Sequence, residues 1–344
     1  MAEDRKILHP PGSSIRELPV NFVSQDMKLF QHELKREIPA AELRSFENVE
    51  VSREGLLFCG KKILPESFAI PELHAPMRFY SHWKLWIRAR SLGHARDFVP
   101  FAFWITDDWS MAYFHWITDA LPRLYAVRSQ VADATLLLPR PYEEMEYVRS
   151  SLAPFGISCV RYIKEMTLCK TLMLPTRTAP TGNYNEVLIR GLRDFYQMAY
   201  QKGPSEKFSS RIYISRGKAG RRKIANESEA ITVLEELGFT VCYMENLTFD
   251  QQIKIAVNAD HIVSNHGAGL TNILFMRPSK CVLELRKRGD AHNNCYFALA
   301  SSLGLRYFYQ LCDAKDTVGD PHVADLIVDC DLLRKNLSRM LMRL

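Results

Sequence analysis

The 344-residue sequence lacks any apolar run of the roughly 18–20 residues that a membrane-spanning helix requires. Its most apolar stretch, residues 98–120, is interrupted by Asp107, Asp108 and Asp119. The N-terminus, residues 1–11, is charged and contains no apolar segment of the kind that a secretory signal needs. We therefore expect a cytoplasmic protein without a membrane-spanning helix.

The sequence also lacks closely spaced cysteines. Its eight cysteines are scattered, and none forms the CxxC pair that is typical of metal sites and redox motifs. Several lie in apolar runs, as Cys281 does before Val282 and Leu283, so we expect buried, reduced thiols. With 47% apolar and 24% charged residues, the composition is that of a globular protein of about two domains.

Common nucleotide-binding signatures are absent as well. The chain has neither a G-x-G-x-x-G fingerprint nor a glycine loop followed by a Walker lysine, which disfavours dinucleotide and P-loop binding. Asp107 and Asp108 are adjacent, so they do not form the D-x-D spacing that holds a nucleotide-bound cation. We expect a surface turn at this pair and predict no metal site.

What the sequence does contain is a regular alternation of strands and helices after residue 210. Glu229 lies three residues after Asn226, and Gln251 lies three after Thr248, as in capping boxes at the starts of two helices. Such alternation requires a parallel sheet with right-handed crossovers and predicts a Rossmann-like α/β domain. The strands are predicted at 211–215, 239–244, 261–264, 281–285 and 305–310.

The first half of the chain is less regular. Short strands are predicted near 49–58, 98–104 and 135–138, and a helix over 186–201. The polar segment 201–210 contains a Gly-Pro pair and is the best candidate for a linker. We therefore divide the chain into two domains, 1–203 and 204–344.

The sharpest motif is the glycine loop after the strand at 261–264. In a parallel sheet, ligands bind beyond the carboxyl ends of the strands. Glycine permits positive φ and close approach of the backbone to a ligand, and the helix that follows presents free N–H groups. We predict a cradle for a diphosphate here, although a ligand-free turn is the alternative. The cradle comprises Asn265, His266, Gly267, Ala268 and Gly269.

A basic loop follows the strand at 211–215, at the same edge of the sheet. Residues 215–223 contain five cations, and the planar fork of arginine matches phosphate oxygens. Arg216 is the predicted anion ligand and Arg222 a helper, whereas most of the other cations are expected to be solvated. The loop contains no aromatic residue on which a base could stack, so nucleic-acid binding is not predicted.

The first half contains one candidate catalytic pair. His115 and Asp119 are four residues apart and share one face if the segment is helical. A histidine and a carboxylate so placed can act as a base and its orienting group. The alternative is a core helix in which Asp119 forms an ordinary i,i+4 ion pair with Arg123.

Together these motifs resemble the family 61 glycosyltransferases, in which an F-H-x-x-x-D element precedes a donor domain with S-R, N-E and H-G-A-G-L-T-N elements. Order and spacing match over Arg211–Leu285 and over a second island, Trp104–Leu124. The matching residues are Phe114-His115 with Asp119, Ser215-Arg216, Asn226-Glu227, His266 to Asn272, Phe275, and Val282 to Leu285.

The resemblance implies an α/β protein of the GT-B type, in which two Rossmann-like domains with parallel sheets face each other across a cleft. It implies inverting transfer of a sugar from a nucleotide sugar, with UDP as the expected nucleotide, and neither a cofactor nor a metal. The N-terminal domain, 1–203, would bind the acceptor, and the C-terminal domain, 204–344, the donor.

Site residues follow from the same resemblance and from the chemistry. A base removes the proton of the acceptor hydroxyl, and hydrogen-bond donors stabilise the departing diphosphate. Asp119 is the preferred base because it lies in the acceptor domain; His115 is its rival, since an imidazole titrates nearer neutrality. Asn272 holds the loop or contacts phosphate, and Glu284 accepts ribose hydroxyls or supports the sheet edge. The leaving group is assigned to Arg216, Arg222, Asn265, His266, Gly267, Ala268 and Gly269.

The expected setting follows from the lack of a signal or anchor. It favours the bacterial type that extends capsule or lipopolysaccharide sugars at the inner face of the cytoplasmic membrane, where a net charge of +6 allows peripheral contact with anionic lipid. The expected partners are a nucleotide-sugar donor and a glycan or lipid-linked glycan acceptor. A non-catalytic nucleotide-sugar or glycan-binding subunit, and another sugar-nucleotide enzyme, are the alternatives; the sequence does not define the oligomeric state.

Overall fold

The computed structural model describes residues 4–73, 97–200, 209–315 and 324–342. Within these ranges the strands are β1 (Asp4–His9), β2 (Gly12–Ile15), β3 (Lys35–Ile38), β4 (Ala41–Ser52), β5 (Leu57–Cys59), β6 (Lys62–Ile63), β7 (Asp97–Phe103), β8 (Thr135–Pro139), β9 (Cys159–Ile163), β10 (Met166–Pro175), β11 (Arg211–Ile214), β12 (Thr240–Cys242), β13 (His261–Asn265), β14 (Cys281–Lys287), β15 (Arg306–Ala314) and β16 (Leu326–Ile327).

The α-helices of the same ranges are α1 (Met27–Phe30), α2 (Tyr113–His115), α3 (Leu121–Ala126), α4 (Arg128–Val131), α5 (Glu146–Leu152), α6 (Glu186–Tyr200), α7 (Glu227–Glu236), α8 (Phe249–Asn258), α9 (Cys295–Leu303) and α10 (Cys330–Leu341). A π-helical turn, Trp116–Ala120, joins α2 to α3, and a 3₁₀ helix, Ala268–Phe275, follows β13.

The chain divides into two compact units. Unit 1 comprises Met1–Gly12 and Ile38–Thr181, and unit 2 comprises Ser13–Glu37 and Gly182–Leu344. The predicted boundary between residues 203 and 204 lies outside the described residues. The division between the compact units comes before α6, so this helix belongs to unit 2.

Unit 2 contains a sheet with strand order β12-β11-β13-β14-β15-β16. The first five strands are parallel, and β16 pairs with β15 in the antiparallel sense. The crossovers contain α7, α8, the 3₁₀ helix and α9 in turn, so the parallel α/β prediction for this half is confirmed. The order of β11 to β15 is the 2-1-3-4-5 arrangement, whose topological switch point lies between β11 and β13.

The core of unit 2 covers one face of this sheet. The buried strand residues Val263, Leu283 and Phe308 pack with Leu234 of α7 and Leu337 of α10. Parallel strands are covered on both faces, which is why they are nearly continuous apolar runs in the sequence. Polar residues begin where the strands end. We therefore expect the ligand-binding and reactive side chains of this sheet at its strand ends.

The two predicted capping boxes have different outcomes. At α8 the side chain of Thr248 accepts from the Gln251 amide at 3.3 Å, and the Gln251 side chain accepts from the Thr248 amide at 2.9 Å, which confirms the box. At α7 the prediction is wrong, because Asn226 forms no side-chain cap. Its amide group instead pairs with both backbone groups of Val328, each at 2.9 Å, and fastens the start of α7 to the segment before α10.

A segment near the N-terminus is an integral part of unit 2. The backbone amide of Val20 donates to the carbonyl of Tyr307, and the side-chain amide of Asn21 pairs with both backbone groups of Tyr309. Phe30 is fully buried, with its ring centroid 5.1 Å from that of Phe297. These contacts extend the edge of β15. No local pattern in residues 13–37 predicts them.

Unit 1 is built on a mixed sheet of strand order β6-β5-β4-β10-β7-β8-β9, with β1 also paired to β4. Strands β10, β7, β8 and β9 are parallel, whereas β4 is antiparallel to β10, β1 and β5. The expectation of a parallel sheet therefore holds only for part of this unit. The parallel part forms because helical crossovers join β7 to β8 and β8 to β9, whereas the long strand β4 reaches β5 through a short turn at Gly55.

Two sequence expectations can be compared directly with the fold. All eight cysteines are free thiols, three of them buried. Among the described residues, none of the helices has the length and apolar character needed to cross a bilayer.

Candidate functional site

The candidate catalytic pair of unit 1 lies on an irregular helix. The α-helical turn α2 widens into the π-helical turn Trp116–Ala120 before α3 begins. Pro122 has no N–H to offer the carbonyl of Thr118, and its ring would clash with that carbonyl in a regular α-helix, so a wider turn relieves this conflict. π-Helical turns within α-helices occur often at functional sites.

His115 and Asp119 are in direct contact. The Nδ1 atom of His115 lies 2.7 Å from Oδ2 of Asp119, and Thr181 donates to the same oxygen at 3.1 Å. The Asp119 side chain is 4% exposed and that of His115 is 20% exposed, so the imidazole is the more accessible member of the pair. The rings of Trp109 and Phe114 each lie 5.0 Å from the imidazole and restrict its orientation.

Arg177 joins this pair to a second carboxylate, Asp107, which Arg123 also binds. Arg177 contacts Asp119 Oδ2 through Nη1 at 3.1 Å and Asp107 Oδ2 through Nη2 at 2.7 Å. Arg123 donates to the same Asp107 oxygen at 2.7 Å and to the carbonyl of Ile105 at 3.1 Å. Burial opposes the charge of Asp107, but Arg123 and Arg177 together outweigh it and hold the pKa of this carboxyl below its ordinary value.

These contacts correct two sequence expectations. Asp107 is not part of a surface turn, because its side chain is fully buried between two guanidinium groups. Arg123 forms its ion pair with Asp107 and not with Asp119, so the ordinary i,i+4 pair is absent at this position. Both partners of Asp107 come later in the chain, 16 and 70 residues away, where no local pattern reveals them.

The candidate ligand site of unit 2 lies at the topological switch point. Strand β11 ends at Ile214, and the hydroxyl of the next residue, Ser215, donates to Glu227 at 2.7 Å. The Ser264 hydroxyl of β13 donates to the carbonyl of Ile214 at 2.9 Å and joins the two strand ends. Glu227 also accepts from the hydroxyl of Tyr213 at 2.8 Å. The Ser-Arg and Asn-Glu elements therefore act together: the glutamate fixes the strand end from which Arg216 projects.

Arg216 lies directly on the glycine loop. A Cβ added to Gly267 would be 2.0 Å from Nη1 of Arg216, so only glycine leaves room for the guanidinium. The φ angle of Gly267 is 165°, which is extended backbone open to any residue, and Gly269 is not a positive-φ glycine either. The positive-φ expectation is therefore wrong; close approach explains both glycines, since a Cβ on Gly269 would be 2.9 Å from Ile214.

Arg222 is held close to Arg216. The side-chain amide of Asn265 donates to the Arg222 carbonyl at 2.5 Å and supports a left-handed backbone there, with φ at 57°. Burial lowers the pKa of Arg216, and the charge of Arg222 lowers it further. Neither arginine forms a salt bridge within the described ranges, and the Nε atoms of both are buried without a hydrogen-bond partner there. Two adjacent guanidinium groups that have no carboxylate partner among the described residues suit an anion.

His266 follows β13 and is held by a fully buried carboxylate. Its Nδ1 atom lies 2.6 Å from Oε1 of Glu284, and the hydroxyl of Tyr307 donates to Oε2 of the same group at 2.5 Å. Burial opposes the charge of Glu284, but its hydrogen bond and charge interaction with His266 outweigh it and lower its pKa. Each carboxylate oxygen of the fully buried Glu284 accepts one hydrogen bond, and these contacts support His266 and the sheet edge; the contact with ribose hydroxyls stays a prediction.

The remaining predicted residues define the loop itself. Asn272 is fully buried, and its side-chain amide donates to the carbonyl of Gly269 and to Gln252, each at 3.0 Å, which is the loop-holding role. Ala268 is exposed at the start of the 3₁₀ helix, and Tyr296 donates to the carbonyl of Gly267 at 2.6 Å. The structure thus brings together Arg216, Arg222, Asn265, His266, Gly267 and Glu284 in unit 2, and His115 with Asp119 in unit 1.

Sequence reasoning missed the residues that support these two pairs. No motif contains Arg177, Thr181 or Asp107. Tyr307 lies in a strand whose sequence predicts only a place in the core. The segment after β10, residues 176–185, contains one charged residue, Arg177, and has no pattern that is typical of a site. Within the described ranges, no group of three or more His, Cys, Asp or Glu side chains is arranged to hold a metal ion.

The comparison with protein families now adds to this geometry. Residues 113–283, which run from α2 into β14, match the family model described as Glycosyltransferase 61. This segment is similar to the glycosyltransferase 61 domain, and it includes both His–carboxylate pairs except for the last residue, Glu284. The match supports the resemblance drawn from the motifs.

Individual relatives are the EGF domain-specific O-linked N-acetylglucosamine transferases of Drosophila melanogaster, Gallus gallus and Bos taurus. The chain is 35% identical to the first over 133 residues, 32% to the second over 112 and 36% to the third over 91. These segments are 37%, 31% and 25% of this chain, and 25%, 20% and 17% of the relatives. The chain thus matches a quarter or less of the length of these relatives.

Proposed function

We propose that this chain transfers a sugar from a nucleotide-sugar donor to a hydroxyl group of an acceptor, with inversion at the anomeric carbon. The observation that carries the proposal is the position of Arg216 on Gly267, at the switch point of the parallel sheet, beside Arg222 and without an ion-pair partner among the described residues. An unpaired guanidinium pair at the carboxyl edge of such a sheet suits the diphosphate of a nucleotide sugar.

The leaving group is stabilised by residues of unit 2. When the bond between the anomeric carbon and the phosphate oxygen breaks, its electron pair stays on the diphosphate, and the added charge is met by Arg216, Arg222 and the amides of residues 267–269. The carboxylate of Glu284 contacts the imidazole of His266 directly and forms no salt bridge with an arginine in the described part of the chain, although the charge of the buried Arg286 also acts on it. We therefore assign to His266 a charged hydrogen bond to the diphosphate, and the reaction needs neither a metal nor a cofactor.

For the base we propose the Nε2 atom of His115, with Asp119 as its orienting group. The acceptor hydroxyl gives its proton to Nε2 while its oxygen bonds to the anomeric carbon. Asp119 was the residue preferred on sequence grounds, but its Oδ2 atom already accepts from His115, Arg177 and Thr181. A carboxylate bound to a guanidinium is a weak base, whereas the imidazole is the more exposed group.

Chemical rescue separates the two assignments. If His115 is the base, His115→Ala loses turnover and regains part of it with added imidazole, while Asp119→Gly gains little from formate. The opposite pattern, rescue of Asp119→Gly by formate without rescue of His115→Ala by imidazole, assigns the base to Asp119. UDP binding should survive in both variants, because both residues belong to unit 1.

The substrates are proposed on separate grounds. UDP is the nucleotide that the family resemblance implies, and N-acetylglucosamine is the first sugar to test because the relatives are named as N-acetylglucosamine transferases. For the acceptor we propose a glycan or lipid-linked glycan of a bacterial capsule or lipopolysaccharide, made at the inner face of the cytoplasmic membrane. A protein hydroxyl is the alternative that the names of the relatives raise.

The test is thermal unfolding of the purified protein with UDP, GDP, ADP and CMP, each with Mg²⁺ and with EDTA. A ligand that binds only the folded state stabilises it by about 2.7 kcal/mol at 100 times its Kd. We expect selective stabilisation by UDP in both conditions, followed by sugar transfer or slow hydrolysis with UDP-N-acetylglucosamine. Stabilisation that requires Mg²⁺ would contradict the metal-independent reaction, and no response to any nucleotide would contradict the donor site.

A matched pair of variants locates the effect. Arg216→Ala removes the guanidinium from the glycine loop and should abolish the stabilisation by UDP. Arg221→Ala removes a cation from the same basic loop, but that side chain is exposed and should matter little. Equal losses in the two variants would mean that UDP responds to the charge of the loop and not to a defined site.

A further inference from the structure

Arg177 joins two buried carboxylates that belong to different turns of unit 1. Its Nε and Nη2 atoms donate to Oδ2 of Asp107 at 3.1 and 2.7 Å, and its Nη1 atom donates to Oδ2 of Asp119 at 3.1 Å. The Asp107 side chain is fully buried and that of Asp119 is 4% exposed. A planar guanidinium is suited to this double contact, because it presents its donors in a fixed fork.

The Asp107 end of the contact is anchored independently of Arg177. Arg123 donates to Asp107 Oδ2, and the Asp107 Oδ1 atom accepts from the Ser110 hydroxyl at 3.0 Å and from the Trp109 amide at 3.1 Å. Asp107 therefore has a fixed position whether or not Arg177 is present. It follows that Asp107 fixes the direction in which Arg177 reaches Asp119.

Among the described residues, the ion-paired charges next to His115 cancel. The carboxylates of Asp107 and Asp119 face the guanidinium groups of Arg123 and Arg177, two of each sign, so a proton on His115 would add a positive charge without a further partner in this mostly buried cluster. In the described part of the chain, Tyr142 interacts with the Asp107 end of this cluster, and Asp108 and Tyr147 interact in turn with Tyr142. Burial and the charge of Asp107 raise the pKa of Tyr142, which is therefore neutral.

We propose that Arg177 is a positioning residue that keeps His115 in its neutral, proton-accepting form by sharing the charge of Asp119. Without Arg177 the cluster carries one excess negative charge, which stabilises the imidazolium next to Asp119. This proposal depends on the proposed function in one respect, which is that His115 acts as the base. The protonation state of the imidazole can be measured with no substrate present.

The first measurement is the titration of the His115 ring by NMR in the unliganded protein. In Arg177→Met, a shape-conserving change that removes the charge, the midpoint should move to higher pH by about one unit, a tenfold change in the protonation equilibrium. Arg177→Lys keeps the charge but loses the fork, so its midpoint should stay near that of the parent protein. If the lysine variant moves as far as the methionine variant, or if neither moves, the proposal is overturned.

The matched control is Arg44→Met. Arg44 also belongs to unit 1 and also bridges two carboxylates, those of Glu42 and Glu66, but it has no contact with the His115 cluster. This variant should leave the His115 midpoint unchanged even if it lowers the melting temperature. A shift as large as that of Arg177→Met would assign the effect to a general loosening of unit 1. If Arg177→Met does not fold, Arg177→Gln provides the same neutral side chain with hydrogen-bonding capacity.

The second measurement is the pH dependence of kcat/KM for the sugar transfer. The acidic limb should move to higher pH in Arg177→Met by the same amount as the NMR midpoint, and it should stay in place in Arg44→Met. A uniform loss of activity at every pH would indicate a purely structural role and overturn the proposal. If the parent protein transfers no sugar, the proposed function fails, but the NMR titration still decides the role of Arg177.

Discussion

Each unit holds one histidine against one buried carboxylate, and the two carboxylates differ in what else they bind. Asp119 shares its Oδ2 atom between His115 and the guanidinium of Arg177, whereas Glu284 binds His266 and the neutral hydroxyl of Tyr307. The first carboxylate has its charge divided between two partners. The second forms no salt bridge with an arginine in the described part of the chain, although the charge of the buried Arg286 also acts on it. We infer from this difference that the third group, and not the His–carboxylate pair itself, would decide whether the histidine acts as a base or as a cation.

The largest expected effect tests this difference directly. His115→Ala should lower kcat by about 10² to 10⁴-fold, the usual contribution of a general base, and leave the Kd of UDP unchanged. His266→Ala should weaken UDP binding and change kcat less. Kinetics and calorimetry on the two variants measure the contrast. Parallel losses of kcat and of UDP affinity in both variants would mean that the two histidines do not have separate roles.

The next effect concerns the stability of unit 1. Asp107→Asn leaves Arg123 buried without its charge partner, which should cost about 3–5 kcal/mol in the free energy of unfolding at pH 7. Because the pKa of Asp107 is depressed below its ordinary value near 3.8, its contribution is present above that pH and is lost as the pH falls through the lower folded-state value. The variant should therefore lose less further stability than the parent protein below pH 4.

The control for this prediction is Asp97→Asn. Asp97 also pairs with an arginine, Arg161, but its side chain is 47% exposed. An exposed pair contributes only about 0–1 kcal/mol, so the loss should be small at every pH. Urea unfolding at pH 7 and pH 3 gives the loss of unfolding free energy for each variant relative to the parent protein. Equal losses in the two variants would argue against the buried network.

The smallest expected effect concerns the His266–Glu284 pair of unit 2. Glu284→Gln keeps the shape of the side chain but removes the charge that favours the imidazolium form of His266, and it should raise the Kd of UDP about tenfold. Tyr307→Phe keeps that charge and should change the Kd less. Calorimetry without Mg²⁺ measures both. If Glu284→Gln binds UDP as tightly as the parent protein, the charged form of His266 has no part in donor binding.

The sequence predicted the parts of the molecule whose determinants are local. The strand–helix alternation of unit 2, the Thr248 capping box and the position of the glycine loop depend on residues a few places apart. Arg216 and His266 were predicted as ligand-side residues because each lies at the carboxyl end of a strand of a parallel sheet. The His115–Asp119 contact was found because four residues of helix separate them.

What the sequence could not reveal depends on residues that are distant in the chain. Arg177 reaches Asp119 from 58 positions away and Tyr307 reaches Glu284 from 23, and neither belongs to a motif. The burial of Asp107 was not predicted, because two adjacent aspartates are typical of an exposed turn. Only the positions of Arg123 and Arg177 in the fold show that Asp107 is buried. The sequence also did not reveal why residue 267 is glycine. The space that the Arg216 guanidinium needs there depends on a residue 51 positions away, and no local pattern indicates it.

The inclusion of Ser13–Glu37 in unit 2 has a consequence for the order in which the protein can be completed. Asn21 pairs with Tyr309 across 288 positions, and nearly all of unit 1 lies between them in the chain. During synthesis Asn21 cannot form these contacts until β15 has been made, so unit 1 can close first and unit 2 last. A fragment that begins at Gly182 would expose the surface of Phe297 and Tyr309 that Phe30 covers, and we expect it to aggregate where the longer chain folds.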